Sequence, residues 1–214
     1  MAIRFHSGIA AFVVVALVGL AESLSAPVRA PREAPPVMET PLPAVSQDMK
    51  INVKNIAALL KAGNSAGATK LAQATVKAGI RDIDDIADLM HLYKPRNKGG
   101  IGWGPKPQPN PAADGLERGV LNFAKQIAPN DLRETARNEE AAYSIAAMAE
   151  LTAAAAPAFN GKPNIAKDWV AKAERVRGAA FDLAKASAAA NANGMRNAAA
   201  NTIEACVSCH AKYK

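Results

Sequence analysis

The chain has 214 residues, of which half are hydrophobic but only 5% are aromatic, and alanine is abundant. This composition favours closely packed helices over a β-rich core, in one domain with at most a smaller attached part. The formal net charge is +7, but charges of both signs are scattered and no basic run alternates with aromatic residues. A nucleic-acid partner is therefore not expected, and the basic balance favours an acidic protein or an anionic membrane only weakly.

The first residues have the layout of an export signal. Arg4 precedes the apolar run at residues 8–20, and small residues suited to cleavage follow at 21–23. The run is shorter than the roughly 20 residues that a membrane span needs. Residues 1–23 are predicted to be a cleaved signal peptide, and a retained membrane anchor is the alternative. Export predicts a periplasmic location, where disulfide bonds can form.

Residues 24–47 and 48–93 differ sharply in pattern. Prolines recur through 24–47, which predicts an extended linker without helical periodicity. Residues 48–93 show the apolar spacing of three short helices, with Gly63 and Gly79 at C-cap positions. Asp82, followed three residues later by another aspartate, is a plausible start for the third. These helices form either an added subdomain or a supplement to the segment that follows.

The stretch from 94 to 111 reads KPRNKGGIGWGPKPQPNP. Its density of proline and glycine predicts a long loop without regular structure. Trp103, between two glycines, is either a hydrophobic anchor for this loop or a ring that covers a cofactor or groove.

Residues 112–214 have the most regular apolar periodicity in the chain. Short connections between the predicted helices imply antiparallel neighbours, so the expected fold class is all-α: an antiparallel four-helix bundle with an additional N-terminal helical segment. The four helices are predicted to run from Asp114 to about Ala128, from a capping pattern at Asp131 and Glu134 to before Pro157, from the turn at 160–163 to about Ala190, and from Met195 nearly to the end.

Both cysteines of the chain lie in its last segment, EACVSCHAKYK. On a helix, Cys206, Cys209 and His210 share one face, because residues three and four positions apart are neighbours. The C-x-x-C-H pattern is the attachment signature of c-type haem, in which each thiol forms a thioether and the imidazole ligates the iron. One covalently bound haem c per chain is therefore predicted, with His210 as the proximal ligand.

The two cysteines have three alternative uses besides haem attachment. A zinc site needs four ligands, and the mature chain adds only His91 to these three, so the fourth would be a carboxylate. A thioredoxin-like pair belongs at a helix start in a βαβ unit, which this chain does not show. A disulfide across three residues would close almost no loop and add little stability.

The C-terminal part, roughly residues 114–214, resembles class II c-type cytochromes, the cytochrome c-prime group. This resemblance implies a four-helix bundle with its haem attached near the C-terminus, and a homodimer, since dimers are common in the family. Residues 48–111 exceed what a standard member contains. The shared ending is C-x-x-C-H-x-x-aromatic-basic, matched at Cys206, Cys209, His210, Tyr213 and Lys214, with lysine where arginine is common.

The second axial position on the iron decides between an electron carrier and a gas binder. The segment AYSIAAM at 142–148 resembles the family's first-helix segment, whose methionine ligates iron in low-spin members. Tyr143 and Met148 match, whereas Ser144 and Ile145 replace an arginine and a glutamine. Considered from the residues alone, Met148 points into a bundle interior, where methionine is more often a gap-filling core residue than a ligand.

His91 is the second candidate for this position, although a histidine close to a helix end is usually a surface residue. Met90 and an open position are further alternatives. Met195 lies on the haem-bearing helix about four turns before His210 and is therefore on the proximal side. Lys212 and Lys214 are either partners of haem propionates or of an acidic protein, or simply solvated charges.

These patterns predict an exported monohaem c-type cytochrome, without enzymatic activity, that passes single electrons between redox partner proteins. The alternative is a five-coordinate haem module that binds NO or CO. No nucleophile–base pair or carboxylate dyad indicates hydrolysis, and no distal histidine–arginine motif indicates a peroxidase. An inert protein with a reduced C-x-x-C is the remaining alternative.

Overall fold

A computed structural model describes residues 47–80, 83–159 and 162–213. The described residues form α-helices and three single-turn 3-10 helices, and no strand occurs among them. The all-α class expected from the composition is thus confirmed. The helices are α1 (Gln47–Lys61), α2 (Ser65–Gly79), α3 (Ile83–His91), α4 (Leu116–Lys125), α5 (Thr135–Ala154), α6 (Pro163–Ala188) and α7 (Ala192–Tyr213).

Helix α5 lies at the centre of the packing, with α1 and α2 against it on one side and α6 on another. Helix α7 packs against α6 and α4. Contacts at the helix ends show that α6 and α7 are antiparallel: the Tyr213 hydroxyl lies 3.4 Å from the Ile165 carbonyl oxygen, and Gly194 lies against Ala186. Small residues permit this close approach, because alanine and glycine keep the helix surfaces flat.

The N-terminal helices share the core of the C-terminal ones. Val53 and Ile56 of α1 are fully buried in the same apolar cluster as Ile145 and Leu151 of α5. Since α1 and α2 cover the side of α5 that α6 leaves open, α5 is buried on nearly all sides from residue 141 to 152. The segment 48–93 therefore supplements the C-terminal helices and does not form a core of its own.

A buried carboxylate joins three of these helices. Glu150 of α5 accepts a hydrogen bond from the Thr69 hydroxyl of α2 at 2.5 Å and pairs with Arg177 of α6. Its side chain is only 4% exposed. A charge at this depth needs such partners, because an unpaired buried carboxylate is strongly destabilising.

Three helix starts differ from those predicted. Asp114 does not cap α4, which begins at Leu116 after Gly115. The Asp131 carboxylate accepts from the backbone N–H of Ala128 at 2.8 Å, so it closes a turn before α5 and does not cap that helix. Residues 192–194, predicted as part of a break, form the first turn of α7, and the Asn191 side chain just before it accepts from the Gly194 N–H at 3.0 Å. Asp131 and Asn191 thus bond nearby backbone groups, whereas Asp114 is taken up by the Arg96 guanidinium.

The loop at 94–115 is ordered by contacts on both sides. Two of its segments, Arg96–Lys98 and Pro111–Ala113, form single 3-10 turns where no regular structure was predicted. The Arg96 guanidinium pairs with the buried Asp114 carboxylate and donates to the carbonyl of Lys106 at 3.0 Å. Glycine at 102 and 104 allows φ values of +84° and +77° around the tryptophan between them.

Trp103 is the hydrophobic anchor of this loop, one of its two predicted roles. Its ring packs edge-on against Phe123 of α4 at a centroid distance of 5.0 Å, and its Nε1 donates to the Asn138 side chain of α5 at 3.1 Å. Gly119 makes room for it, since a Cβ there would lie 2.0 Å from the indole. The ring thus joins α4 and α5, which otherwise make at most marginal contact.

The predicted signal peptide and the predicted linker, apart from Gln47, lie outside the described residues. Among the helices that the structure describes, none is both long enough and apolar enough to cross a membrane.

Candidate functional site

The C-x-x-C-H residues lie on the last three turns of α7. Cys206, Cys209 and Tyr213 continue the buried stripe of this helix, while His210 is displaced by about 40° from Cys206. The two cysteines are partly buried, and His210 is exposed at the edge of the stripe. Upstream, the same stripe is formed by Met195, Ala198, Ala199, Thr202 and Ala205, all buried.

Both thiols are unpaired and neutral at pH 7. No disulfide joins Cys206 to Cys209. Desolvation raises the pKa of Cys206 to about 11, with smaller contributions from Cys209 and Glu117. The pKa of Cys209 is raised by desolvation, a shift that Lys172 opposes and Asp168 reinforces. A redox-active pair of the thioredoxin type has a lowered cysteine pKa, so these surroundings do not match that alternative.

The groups that act on the thiols come from three parts of the chain. Glu117, in the first turn of α4, raises the pKa of Cys206, and Lys172 and Asp168 of α6 shift the pKa of Cys209 in opposite directions. The third part is the segment that contains Tyr93. Burial and these two thiols raise the pKa of Tyr93 well above its ordinary value.

Backbone contacts fix Tyr93 against the first turn of α4. Its carbonyl accepts from the N–H of Glu117 at 3.3 Å, and the neighbouring carbonyl of Leu92 accepts from Ile101 N–H at 3.0 Å. Gly115 lies against the same Tyr93 carbonyl, where a Cβ would approach to 3.1 Å. The loop anchored by Trp103 therefore also holds Tyr93 at the first turn of α4, from which Glu117 acts on Cys206.

The two candidates for the second axial ligand lie in different surroundings. His91 is the last residue of α3, is partly exposed, and precedes Tyr93 by two positions. Met148 is fully buried in the middle of α5. Among the described helices, α5 and α7 make at most marginal contact. Helix α3 likewise makes at most marginal contact with α7, and the segment of His91 is related to the thiols through Tyr93, whose pKa both thiols raise.

The other predicted contributors are also located. Met195 is buried in the first turn of α7, far along the helix from His210, and Met90 is half-buried against the core. Lys212 forms an ion pair with Asp168 at 3.1 Å, so within the described part of the chain it has a protein partner. Lys214 lies outside the described residues. No group of three or more His, Cys, Asp or Glu side chains is arranged as a metal site among the residues that the structure describes.

Sequence reasoning missed Tyr93, Glu117 and Asp168 as neighbours of the motif. Tyr93 follows His91 closely, but no periodicity shows that this turn meets α7. Asp168 directly precedes the buried Trp169, and only the packing of α7 on α6 shows that its carboxylate meets the end of α7.

The donor set fits a covalently bound haem. Two free, half-buried thiols lie one helical turn apart, an exposed imidazole follows at once, and both thiols raise the pKa of a buried tyrosine. Comparisons with protein-family models, with curated proteins and with solved structures gave no significant match. The proposed chemistry of the site therefore rests on the chain's own residues.

Proposed function

We propose that the chain is an exported monohaem c-type cytochrome that carries single electrons. Thioethers to Cys206 and Cys209 would tether the haem, and His210 would be the proximal iron ligand. The observation that carries the proposal is the arrangement of two unpaired, half-buried thiols and an exposed imidazole along one side of the terminal helix. When bound, the haem supplies reversible one-electron chemistry at its iron.

The residues around the motif would perform the protein's part of this function. The thiols at 206 and 209 fix the position of the haem along α7. Tyr93 and Glu117 of α4 act on the thiols from one part of the chain, and Asp168 and Lys172 of α6 act from another. Both thiols are desolvated, so water is partly excluded from the edge where the haem would be tethered, and such exclusion is one of the means by which a protein sets a haem potential.

In this proposal α4–α7 are the four-helix bundle of a class II cytochrome, with α7 between α4 and α6 and with α5 beyond α6. Trp103 closes the gap between α4 and α5. One feature departs from the family: Met148 lies on the second helix after residue 112, whereas the family's segment is on the first. This departure weakens the assignment of Met148 as an axial ligand and leaves His91 or an open position.

The periplasm is the proposed location, and the proposed partners are redox proteins. A homodimer remains part of the proposal by resemblance to the family.

The decisive experiment is expression of the full chain together with a haem-maturation system. Mass spectrometry of the purified protein should show one added haem. The C206A and C209A variants should either lose this haem or hold it through a single thioether. S208A is the matched control, because it changes one of the two residues between the cysteines and keeps both thiols in place. Absence of any added haem in the unaltered chain would overturn the proposal.

The alternative function, a five-coordinate module that binds NO or CO, is favoured by one observation: Met148 is buried in a helix that barely meets α7. Reduced spectra with and without CO separate the two functions. A spectrum unchanged by CO supports the electron carrier, and M148A and H91A variants then identify the second ligand by conversion to a CO-sensitive spectrum. A CO shift in the unaltered protein supports the gas binder.

A further inference from the structure

The end of α7 is tied to the beginning of α6, although terminal helix turns usually fray. The Tyr213 hydroxyl donates a hydrogen bond to the Asp168 carboxylate at 2.6 Å. The Lys212 ammonium reaches the same carboxylate oxygen at 3.1 Å. We name these three side chains, Asp168, Lys212 and Tyr213, the C-terminal clamp.

Aromatic packing reinforces the clamp. The Tyr213 ring meets Trp169 edge-on at a centroid distance of 5.2 Å and Phe159 at 5.8 Å. The Trp169 indole N–H in turn donates to the carbonyl of Thr152. The last turn of α7 is thus connected through α6 to the end of α5.

The clamp immediately follows the attachment motif. Tyr213 comes one turn after Cys209 on the same stripe, displaced by about 40°. On the other side of the motif, Thr202 and Ala205 are buried in the core. Cys206, Cys209 and His210 therefore lie between two anchors, and the C-terminal one is half-exposed and made of side-chain contacts alone.

We infer that the C-terminal clamp is a positioning device for haem attachment. It holds the last turns of α7 helical before the haem arrives, so that both thiols and the imidazole stay together along one side of the helix. Tyr213, Asp168 and Lys212 act through the backbone of α7 and do not themselves bind the iron. This inference rests on the proposed function, because the alignment of these side chains has no attachment role if the protein binds no haem.

Two substitutions remove the clamp with little other change. Y213F removes the hydroxyl and keeps the ring stack, and D168N removes the charge that both donors share. The matched control is Y143F on α5, because the Tyr143 ring also packs edge-on against an aromatic ring, Phe181 at 6.2 Å, and its hydroxyl has no hydrogen bond among the described residues.

The first measurement is amide hydrogen exchange on the full chain produced without haem maturation. Y213F and D168N should speed exchange in residues 206–213 by roughly five- to tenfold, as expected for the loss of one hydrogen bond of ordinary net strength at a partly exposed carboxylate. Exchange in α4, α5 and most of α6 should not change, and Y143F should match the unaltered chain. Unchanged exchange in 206–213 in both variants would overturn the inference.

The second measurement is haem loading with the maturation system present. We expect Y213F and D168N to lower the fraction of chain carrying two thioethers several-fold and to broaden the absorption bands of the ferrous protein, while the unfolding midpoint of the haem-free chain stays close to that of the unaltered chain. If the unaltered chain loads and both variants load equally well with the same spectra, the inference fails but the proposed function stands. If the unaltered chain takes up no haem, the proposed function fails and the attachment role fails with it.

Discussion

The 94–115 loop and the last turn of α7 are each held by a carboxylate that binds a cation, but the two carboxylates lie at different depths. The Asp114 side chain, paired with Arg96, is 4% exposed, whereas the Asp168 side chain, paired with Lys212, is 37% exposed. A buried pair cannot lose one member without leaving an unpaired charge in a poorly solvating interior. Water replaces a lost partner at the surface. The loop contacts therefore control the stability of the fold, and the contacts at α7 control local order at the site.

The largest effect is expected from W103A. This variant removes the ring that joins α4 to α5 and leaves the Asn138 amide oxygen without its donor. Removal of a whole buried indole predicts a decrease of about 3–5 kcal/mol in the free energy of unfolding. Urea denaturation followed by circular dichroism measures it, with W169F as a milder comparison. A loss below about 1 kcal/mol would show that the loop does not stabilise the helices.

The next largest effect is expected from R96A. Asp114 would stay buried without its ion pair, which predicts a loss of roughly 3 kcal/mol. R133A is the control, because that arginine is exposed. A double variant R96A/D114A should recover part of the loss, since it removes the unpaired charge as well. If R96A and R133A lower the stability equally, the stabilising role assigned to the buried Arg96–Asp114 pair is wrong.

A smaller, local effect is expected from pH. Hydrogen bonding from Tyr213, and then from Lys212, lowers the pKa of Asp168 below its ordinary value, so the clamp is present above that ordinary value and is lost as the pH falls through the lowered one. Desolvation and the Asp168 contact raise the pKa of Tyr213 to about 12, so the phenol remains protonated throughout the neutral range.

Fluorescence of Trp169, which adjoins Tyr213, reports this titration. The emission should stay constant from about pH 5 to pH 9 and change only at pH values below the usual range of aspartate. D168N should abolish the acid transition. A transition centred above pH 5 in the unaltered chain would contradict the direction assigned to Asp168.

The smallest effect is expected from K61A. Lys61 pairs with Glu139 at 2.8 Å and joins α1 to α5, but its side chain is 51% exposed. Solvent screening limits such a pair, so the loss should be below about 1 kcal/mol. Thermal unfolding at low and high salt tests this, because added salt should remove most of the difference between K61A and the unaltered chain.

Most helices could be predicted from the sequence because their signals are local. Gly63 has the positive φ of +74° expected after α1. Helix α2 ends at Gly79 as predicted, but its C-cap is Ile80 in extended conformation, so the cap position predicted for Gly79 was wrong. The starts of α4 and α7 were wrong because Asp114 and Asn191 each had more than one backbone or side-chain partner within reach. Choosing among those partners depends on contacts with Arg96 and with the end of α6, which are distant in sequence.

The positions of the candidate site residues on the last helix were also predictable from local signals. Cys206, Cys209 and His210 fall on one side of a helix by spacing alone, because the rise and rotation per residue are properties of the backbone. Their surroundings were not predictable. The thiols act on Tyr93 because the 94–115 loop brings residue 93 to the first turn of α4, and Asp168 meets Tyr213 because α6 and α7 are antiparallel.

The sequence by itself determined that this chain is helical and that two thiols and an imidazole lie together near its end, since backbone periodicity and spacing suffice for both. Only the tertiary structure decided that Trp103 is an anchor between α4 and α5, that the thiols act on Tyr93, and that Met148 is buried in a helix that makes at most marginal contact with α7. Each of these depends on which helices pack together, and packing follows from burial summed over the whole core, which no single segment contains.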